Sequence, residues 1–205
     1  MVLLRLMTNF QLAIFGVSAG LLNLLAEIPA VRAIFAGTNK PERGTWWMWF
    51  ILSFISLFGQ IAGGAHWSAI LSFTSTIVGG LIAVLSIKYG YGRFHFRDGL
   101  GITIAIIGGV YSLIVHDPLI AVVVVTLIEI IAAGLTVYKT WYAPFTENFL
   151  SWRISLIGTM CGVLAVGQYR PVIYLPPLTN FIINLTMVTL ITSRRPKVKT
   201  QPLDL

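Results

Sequence analysis

The chain has 205 residues, of which 57% are hydrophobic and 10% are charged, and its formal net charge is +7. Soluble domains carry about 25% charged residues, so this composition excludes an ordinary soluble protein. The positive charge does not indicate a nucleic-acid partner, because the basic residues stand in short loops beside apolar runs, where they orient a chain in a membrane.

Seven apolar runs follow one another, and they predict an all-α polytopic membrane protein that is surrounded by the lipid bilayer. A helix of roughly 17–25 apolar residues crosses a hydrocarbon core of about 30 Å. The first run is longer than this, and Pro29 near its end predicts a kink because proline removes a helix hydrogen bond. Gly16 and Gly20 are spaced for close packing against another helix. The approximate runs are 9–35, 45–62, 67–88, 99–115, 118–139, 150–167 and 172–193.

The lysines and arginines predict the orientation. Of the 14, all but Arg5 and Arg170 lie in the C-terminal tail, in the connections after the first, third and fifth runs, or at the ends of the runs that border these connections. Cytoplasmic loops carry the excess of positive charge. We therefore expect the N-terminus outside and the C-terminus in the cytoplasm.

Two segments about a hundred residues apart share one pattern of proline and tryptophan. Pro41 stands eight residues before Trp49, and Pro144 stands eight residues before Trp152. The two pairs are 103 residues apart. Such self-similarity indicates a duplicated unit.

A second similarity gives a slightly different spacing. The letters I-S-L-F-G-Q-I-A-G at 55–63 match I-S-L-I-G-T-M-C-G at 154–162, which lie 99 residues later. The two offsets differ by close to one helical turn, so both keep the same helix face. We expect a three-helix bundle at 1–97, a linker transmembrane helix at 98–117, and a second, parallel three-helix bundle with a basic tail at 118–205.

The chain resembles the SWEET and PQ-loop superfamily, as a divergent bacterial member. The resemblance is carried by Pro29 near the end of the first run and by the segments 41–49 and 144–152, and Pro29-Ala30 stands where the family signature is Pro-Gln. It implies a bacterial inner-membrane protein with two parallel repeats around a linker helix. It further implies alternating access to a small solute, with a hinge at Pro29.

The same resemblance suggests where the solute binds. Sugar carriers of the family offer asparagines from the third and seventh helices, and here the seventh run contains Asn180 and Asn184 on one face. The third run offers Thr74, Ser75 and Thr76 instead. These five residues are candidate substrate-binding groups. The alternative is that the asparagines hold helices together by hydrogen bonds.

Two acids lie inside apolar runs, and both are candidates for a gate or a proton site. A carboxylate in hydrocarbon is costly, so intramembrane acids usually face a cavity or a partner. This favours a functional role for Glu27 and Glu129. The alternative is that both lie near the cytoplasmic boundary and pair with Arg32 and Lys139.

Three further residues are candidates for the substrate site. Gln60 is polar and well inside the second run, and Thr159 stands at the matching place in the sixth. Trp49 and Trp152 could stack on a ring-shaped solute. The alternatives are helix–helix hydrogen bonding for Gln60 and an aromatic belt beside the basic loops for the tryptophans.

No catalytic set is evident. His66, His95 and His116 fall in three different loops, and the single cysteine, Cys161, cannot form a thiolate metal site or an intrachain disulfide. The motifs of phosphate loops and nucleophile elbows are also missing from the sequence. We therefore expect no enzyme, no cofactor and no metal.

The sequence favours a transporter of a small polar solute, with a sugar as one option. A receptor or binding protein on the same fold, similar to the retention-signal receptors, is an alternative, although few basic residues lie within the spans. A Pnu-type vitamin carrier is a second alternative, and an assembly or lipid-interacting role is a third. Association into a homo-oligomer is left open.

Overall fold

The computed structural model describes residues 7–37, 41, 43–90, 95–142 and 144–197. Every regular element within these residues is helical, so the predicted all-α class is confirmed. Short 3-10 turns at Pro144–Thr146 and Arg195–Lys197 follow the fifth and seventh helices. The α-helices are α1 (Asn9–Phe35), α2 (Arg43–Ala62), α3 (Ala69–Tyr89), α4 (Phe96–Val115), α5 (Pro118–Tyr142), α6 (Phe149–Leu164) and α7 (Pro171–Arg194).

Five helices are long and apolar enough to cross a membrane, namely α1, α2, α3, α5 and α7. The other two provide shorter apolar segments, Gly99–Val115 in α4 and Phe149–Leu164 in α6. The predicted run 150–167 was too long, because the chain leaves the helix at Ala165. The 16 residues of α6 rise by about 24 Å. Helix lengths and composition together support an integral membrane protein.

Side-chain caps explain where α1 and α6 begin. Thr8 accepts a hydrogen bond from the N–H of Gln11 at 3.3 Å, and the Gln11 side chain accepts one from the N–H of Thr8 at 2.8 Å. This reciprocal pair satisfies two N–H groups at the start of α1. Asn148 likewise accepts from the N–H of Ser151 at 3.1 Å and so begins α6.

Prolines lie inside two helices without ending them. α1 is helical on both sides of Pro29, and α7 is helical on both sides of Pro176 and Pro177. The predicted kink at Pro29 therefore does not divide α1 into two helices. The hinge role of Pro29 stays a prediction.

The helices contact one another in a regular order. α3 packs against both α1 and α2, and α7 packs against both α5 and α6. Across these two groups, α1 packs against α6 and α2 packs against α5. α4 packs on α2 and α5 at the side of the molecule.

The close packing predicted for the two glycines of α1, Gly16 and Gly20, is present. Gly16 lies against the backbone of Trp67, and Gly20 lies against Ile70 and Thr74 of α3. A Cβ at Gly20 would be 2.6 Å from Cγ2 of Ile70. The small residues thus let α1 and α3 approach closely.

Three buried apolar clusters lie at different levels of the bundle. One joins α2, α3, α5 and α7, and it contains Leu57, Ala65, Ala69, Val122, Val166, Val172 and Ile173. A second joins α2, α4 and α5 through Met48, Leu52, Ala105 and Val125. A third holds α1 against α3 through Ile34, Val78 and Ile82.

Candidate functional site

A polar contact joins α1 to α3 near the middle of α1. Asn23 donates from Nδ2 to Oγ1 of Thr74 and to Oγ of Ser75, at 3.1 Å in both cases. The Thr74 hydroxyl donates to carbonyl oxygens of its own helix, those of Ile70 at 3.1 Å and of Leu71 at 3.0 Å. The structure thus brings the predicted residues Thr74 and Ser75 together at Asn23.

Gln60 forms a second polar contact, between α2 and α3, and it is fully buried. Its Nε2 donates to Oγ of Ser72 at 2.5 Å and to the carbonyl of Ser56 at 3.4 Å. Its Oε1 has no hydrogen-bond partner among the described residues. Thr76 donates to the carbonyl of Ser72 at 2.8 Å, and Thr159 donates within α6. The Gln60 side chain therefore joins α2 to α3, and its Oε1 is available to accept a hydrogen bond from a further group.

The predicted asparagines of α7 reach α5 through one acid. The side chain of Asn180 lies close to the carboxyl of Glu129 on α5. The Asn180 amide donates to the carbonyl of Pro176 at 3.1 Å, and the Asn184 amide donates to the carbonyl of Asn180 at 2.8 Å. Oδ1 of Asn184 is buried and has no partner in the part of the chain that the structure describes. A buried acceptor without a donor is costly, so Asn184 is suited to bind a further group.

The two glutamates lie in different surroundings. Glu27 lines a groove of about 230 Å³ between α1 and α3. Leu24 and Ile77, which line the same groove, are 37% and 48% exposed. Glu129 lies on α5 three residues after Thr126, which is buried, and it lies close to Asn180 of α7. Both glutamate side chains are half-buried, and Glu129 is the one beside an asparagine of the candidate site.

The alternative for these acids was an ion pair with a nearby basic residue. Arg32 lines the same groove as Glu27. Among the described residues the two side chains form no ion pair. The side chain of Lys139, the partner considered for Glu129, lies outside the described residues.

The two predicted tryptophans are in separate places. Trp49 packs against the buried cluster of α2, α4 and α5, and its Nε1 is buried without a hydrogen-bond partner among the described residues. Nε1 of Trp152 donates to Oε2 of Glu147 at 3.0 Å, beside the start of α6. Trp152 therefore lies at the start of α6, which is a position typical of an aromatic belt. Trp49 lies further inside its helix, α2.

Small residues mark two contacts between the first three helices and the last three. Gly59 of α2 lies against α5, where a Cβ would be 2.8 Å from Cγ2 of Val122. Gly158 of α6 lies against α1, where a Cβ would be 3.1 Å from Cβ of Leu22. Gly158 follows Gly59 by 99 residues, and Val122 follows Leu22 by 100 residues. The two glycines and the two residues that they contact are thus separated by almost the same number of residues.

A second pair of glycines repeats this exchange one turn further along. Gly63, just after α2, lies against Val172 of α7. Gly162 of α6 lies against α3, where a Cβ would be 2.7 Å from Cδ2 of Leu71. Val172 follows Leu71 by 101 residues. These two glycines are also 99 residues apart, which is the spacing of the two similar segments at 55–63 and 154–162 and not the 103 residues that separate Trp49 from Trp152.

Sequence reasoning identified most of these polar residues but not their partners. Ser72 and Ser56 carried no signal, because serine is common in apolar helices and bonds to many groups. Arg170 entered the predicted membrane orientation as one of two basic residues on the outer side, and its sequence context did not indicate a partner. Among the described residues, no group of three His, Cys, Asp or Glu side chains could hold a metal ion.

Comparison of the chain with protein-family models, with curated proteins and with solved structures gives no match. The contacts of the chain's own residues therefore carry the functional argument.

Proposed function

We propose that this protein is a membrane transporter of a small polar solute, in which two three-helix bundles alternate access to a site between them. The first bundle consists of α1–α3, the second consists of α5–α7, and α4 links them. The reciprocal contacts of Gly59 with Val122 and of Gly158 with Leu22 carry this proposal.

The helix neighbours support the duplication. In each proposed bundle the third helix contacts the first and the second. Between the bundles, the first helix of each contacts the second helix of the other. An exchange of this kind is the signature of two copies related by a two-fold axis. With one linker span between them, both copies have the same orientation and the axis follows the membrane normal.

Such an interface suits alternating access. Two similar surfaces meet along glycines and apolar side chains, so a rocking motion of one bundle can open either end in turn. Polar groups within the membrane are costly unless they face each other, water or a solute. The interior acceptors of Asn184 and Gln60, which lack donors among the described residues, are suited to a solute with hydrogen-bond donors.

We assign the residues of the site as follows. Asn180 and Asn184 bind the solute, and Glu129 is the gate or proton site, because it lies beside Asn180. Thr74, Ser75 and Gln60 belong to the first bundle and position its helices. Thr76, Trp49 and Trp152 remain candidate contacts, while Glu27 lines the groove between α1 and α3.

The fold that we propose resembles that of the SWEET and PQ-loop superfamily. The three-one-three order of helices and the paired proline and tryptophan segments support this relationship. The basic loops support insertion in a bacterial inner membrane with the N-terminus outside.

Uptake into proteoliposomes tests the proposal. The purified full chain is reconstituted and offered radiolabelled glucose, sucrose and thiamine, so that a sugar carrier and a vitamin carrier are distinguished. We expect saturable uptake of at least one probe, and a strong reduction of it by Asn184→Leu. Binding of a probe to the protein without uptake would favour the receptor instead.

A further inference from the structure

We propose that Arg170 closes one end of the transport pathway by linking the two bundles. This inference rests on the proposed alternating access and adds the device that holds one end shut. Nη1 of Arg170, at the start of α7, donates to the carbonyl oxygen of Gly63 at 2.7 Å. The two residues are far apart in sequence, and they belong to different proposed bundles. We call this contact the outer bridge, because it lies at the predicted outer end.

The outer bridge pairs a charged donor with a carbonyl at the end of a helix, and this pairing is favourable. Gly63 directly follows α2, so its carbonyl lies at the negative end of that helix. Carbonyls at a helix C-terminus lack partners within the helix and accept well from arginine. A hydrogen bond from a charged donor is about twice as strong as one between neutral groups. Arg170 therefore binds the end of a helix that belongs to the other bundle.

Apolar packing beneath the outer bridge closes the same end. Gly63 lies against Val172, two residues after Arg170, and Gly162 lies against Leu71. Val172 and Leu71 are 4% and 4% exposed. Both glycine contacts cross from one bundle to the other. The outer bridge thus lies over two reciprocal contacts that must separate if this end opens.

The outer bridge has no counterpart in the other bundle. At the spacing of 101 residues that separates Leu71 from Val172, the position matching Arg170 is Ala69, and the residue before it is Ser68. The alanine side chain has no hydrogen-bond donor, and the serine side chain makes no cap hydrogen bond and is too short to reach the end of α6. One side chain therefore controls this end, so one substitution suffices to test it.

Two arginines at the opposite end bind carbonyl groups of their own bundle. Arg43 donates from Nε to the carbonyl of Ser86 at 3.0 Å, inside the first bundle. Arg194 donates from Nε to the carbonyl of Trp141 at 3.0 Å, inside the second. Arg194 is thus a matched control: it also binds a backbone carbonyl, but it does not join the bundles.

Cysteine labelling tests the outer bridge without a transported solute. In a Cys161→Ser background, Val172→Cys places the only thiol of the chain beneath the bridge. A maleimide that does not cross membranes is added to the protein in lipid nanodiscs, where both faces are accessible. The labelling rate is compared for three proteins in this background: one with Arg170 and Arg194 intact, one with Arg170→Ala, and one with Arg194→Ala. Circular dichroism checks that their helix content is the same. Leu71→Cys replaces Val172→Cys if the latter fails to fold.

We expect Arg170→Ala to raise the labelling rate about tenfold, which corresponds to about 1.4 kcal/mol. Arg194→Ala should leave the rate unchanged. Equal rates with and without Arg170, or an equal rise with Arg194→Ala, would overturn the inference. Either result leaves solute uptake in proteoliposomes as an independent test of transport, so the two proposals can fail separately.

Discussion

Asn23 and Thr74 join α1 to α3 through a hydrogen bond of 3.1 Å between Nδ2 and Oγ1. The same amide donates to Ser75 of α3. Nearby, Gly20 lets the two helices approach, because a Cβ there would be 3.1 Å from Cγ2 of Thr74. A small residue and a polar residue one turn apart therefore fix how α1 lies against α3.

Removing the amide should weaken this contact. We expect Asn23→Leu to lower the free energy of unfolding by about 1–2 kcal/mol, the worth of one or two interhelical hydrogen bonds. The measurement is denaturant unfolding of the detergent-solubilised protein. The control is Thr186→Val, since Thr186 is exposed and donates only to its own helix. A similar loss in both variants would contradict the role of Asn23.

The glycines of the bundle interface should resist even one added methyl group. Gly59→Ala and Gly158→Ala each place a Cβ within 3.1 Å of a side chain of the facing helix. We expect each to lower stability by about 1–3 kcal/mol through overpacking. In the same denaturation assay, Gly134→Ala is the control, because nothing lies within 4 Å of its added Cβ. That variant should gain up to about 1 kcal/mol from helix propensity, and a loss as large as at Gly59 would contradict the packing described.

The sequence predicts the properties of a single helix, such as its presence and length. It does not predict contacts that depend on how two helices lie against each other. Apolar runs predicted all seven helices, since periodicity and length are properties of a single segment. The partner of Gln60 could not be predicted, because Ser72 reaches it only at one rotation of α3 about its axis. The surroundings of the two acids also depend on how each helix is rotated about its axis. Glu27 and Glu129 are 102 residues apart, three more than Gly59 and Gly158, and a shift of three residues turns a side chain about 60° away from the original direction.

This difference predicts unequal roles for the acids. Glu129→Gln preserves the size of the side chain and its contact with Asn180 but removes the negative charge. We expect it to lower the initial rate of uptake about tenfold or more, equivalent to about 1.4 kcal/mol. Glu27→Gln changes a side chain in the groove between α1 and α3, away from the asparagines of α7, and should retain most of the uptake. The rates are measured in proteoliposomes with equal amounts of folded protein, and the reverse ranking would contradict a site at Glu129 and Asn180.

The orientation can be tested in cells. Alkaline phosphatase is active only outside the cytoplasm, whereas green fluorescent protein is fluorescent in the cytoplasm. Because the basic residues lie mostly after the first, third and fifth helices, a C-terminal fluorescent fusion should be bright and a C-terminal phosphatase fusion inactive. Active phosphatase at the C-terminus would reverse the predicted topology.

Alternating access is the central claim, and counterflow tests it most directly. Proteoliposomes are loaded with a high concentration of the unlabelled probe that the uptake assay identifies, and a trace of the labelled probe is added outside. A carrier that alternates between two closed ends exchanges solute, so we predict a transient accumulation of label inside above its equilibrium level. A channel lets the label equilibrate without an overshoot, and a receptor does not move it. Uptake without an overshoot, or binding without uptake, would contradict the account.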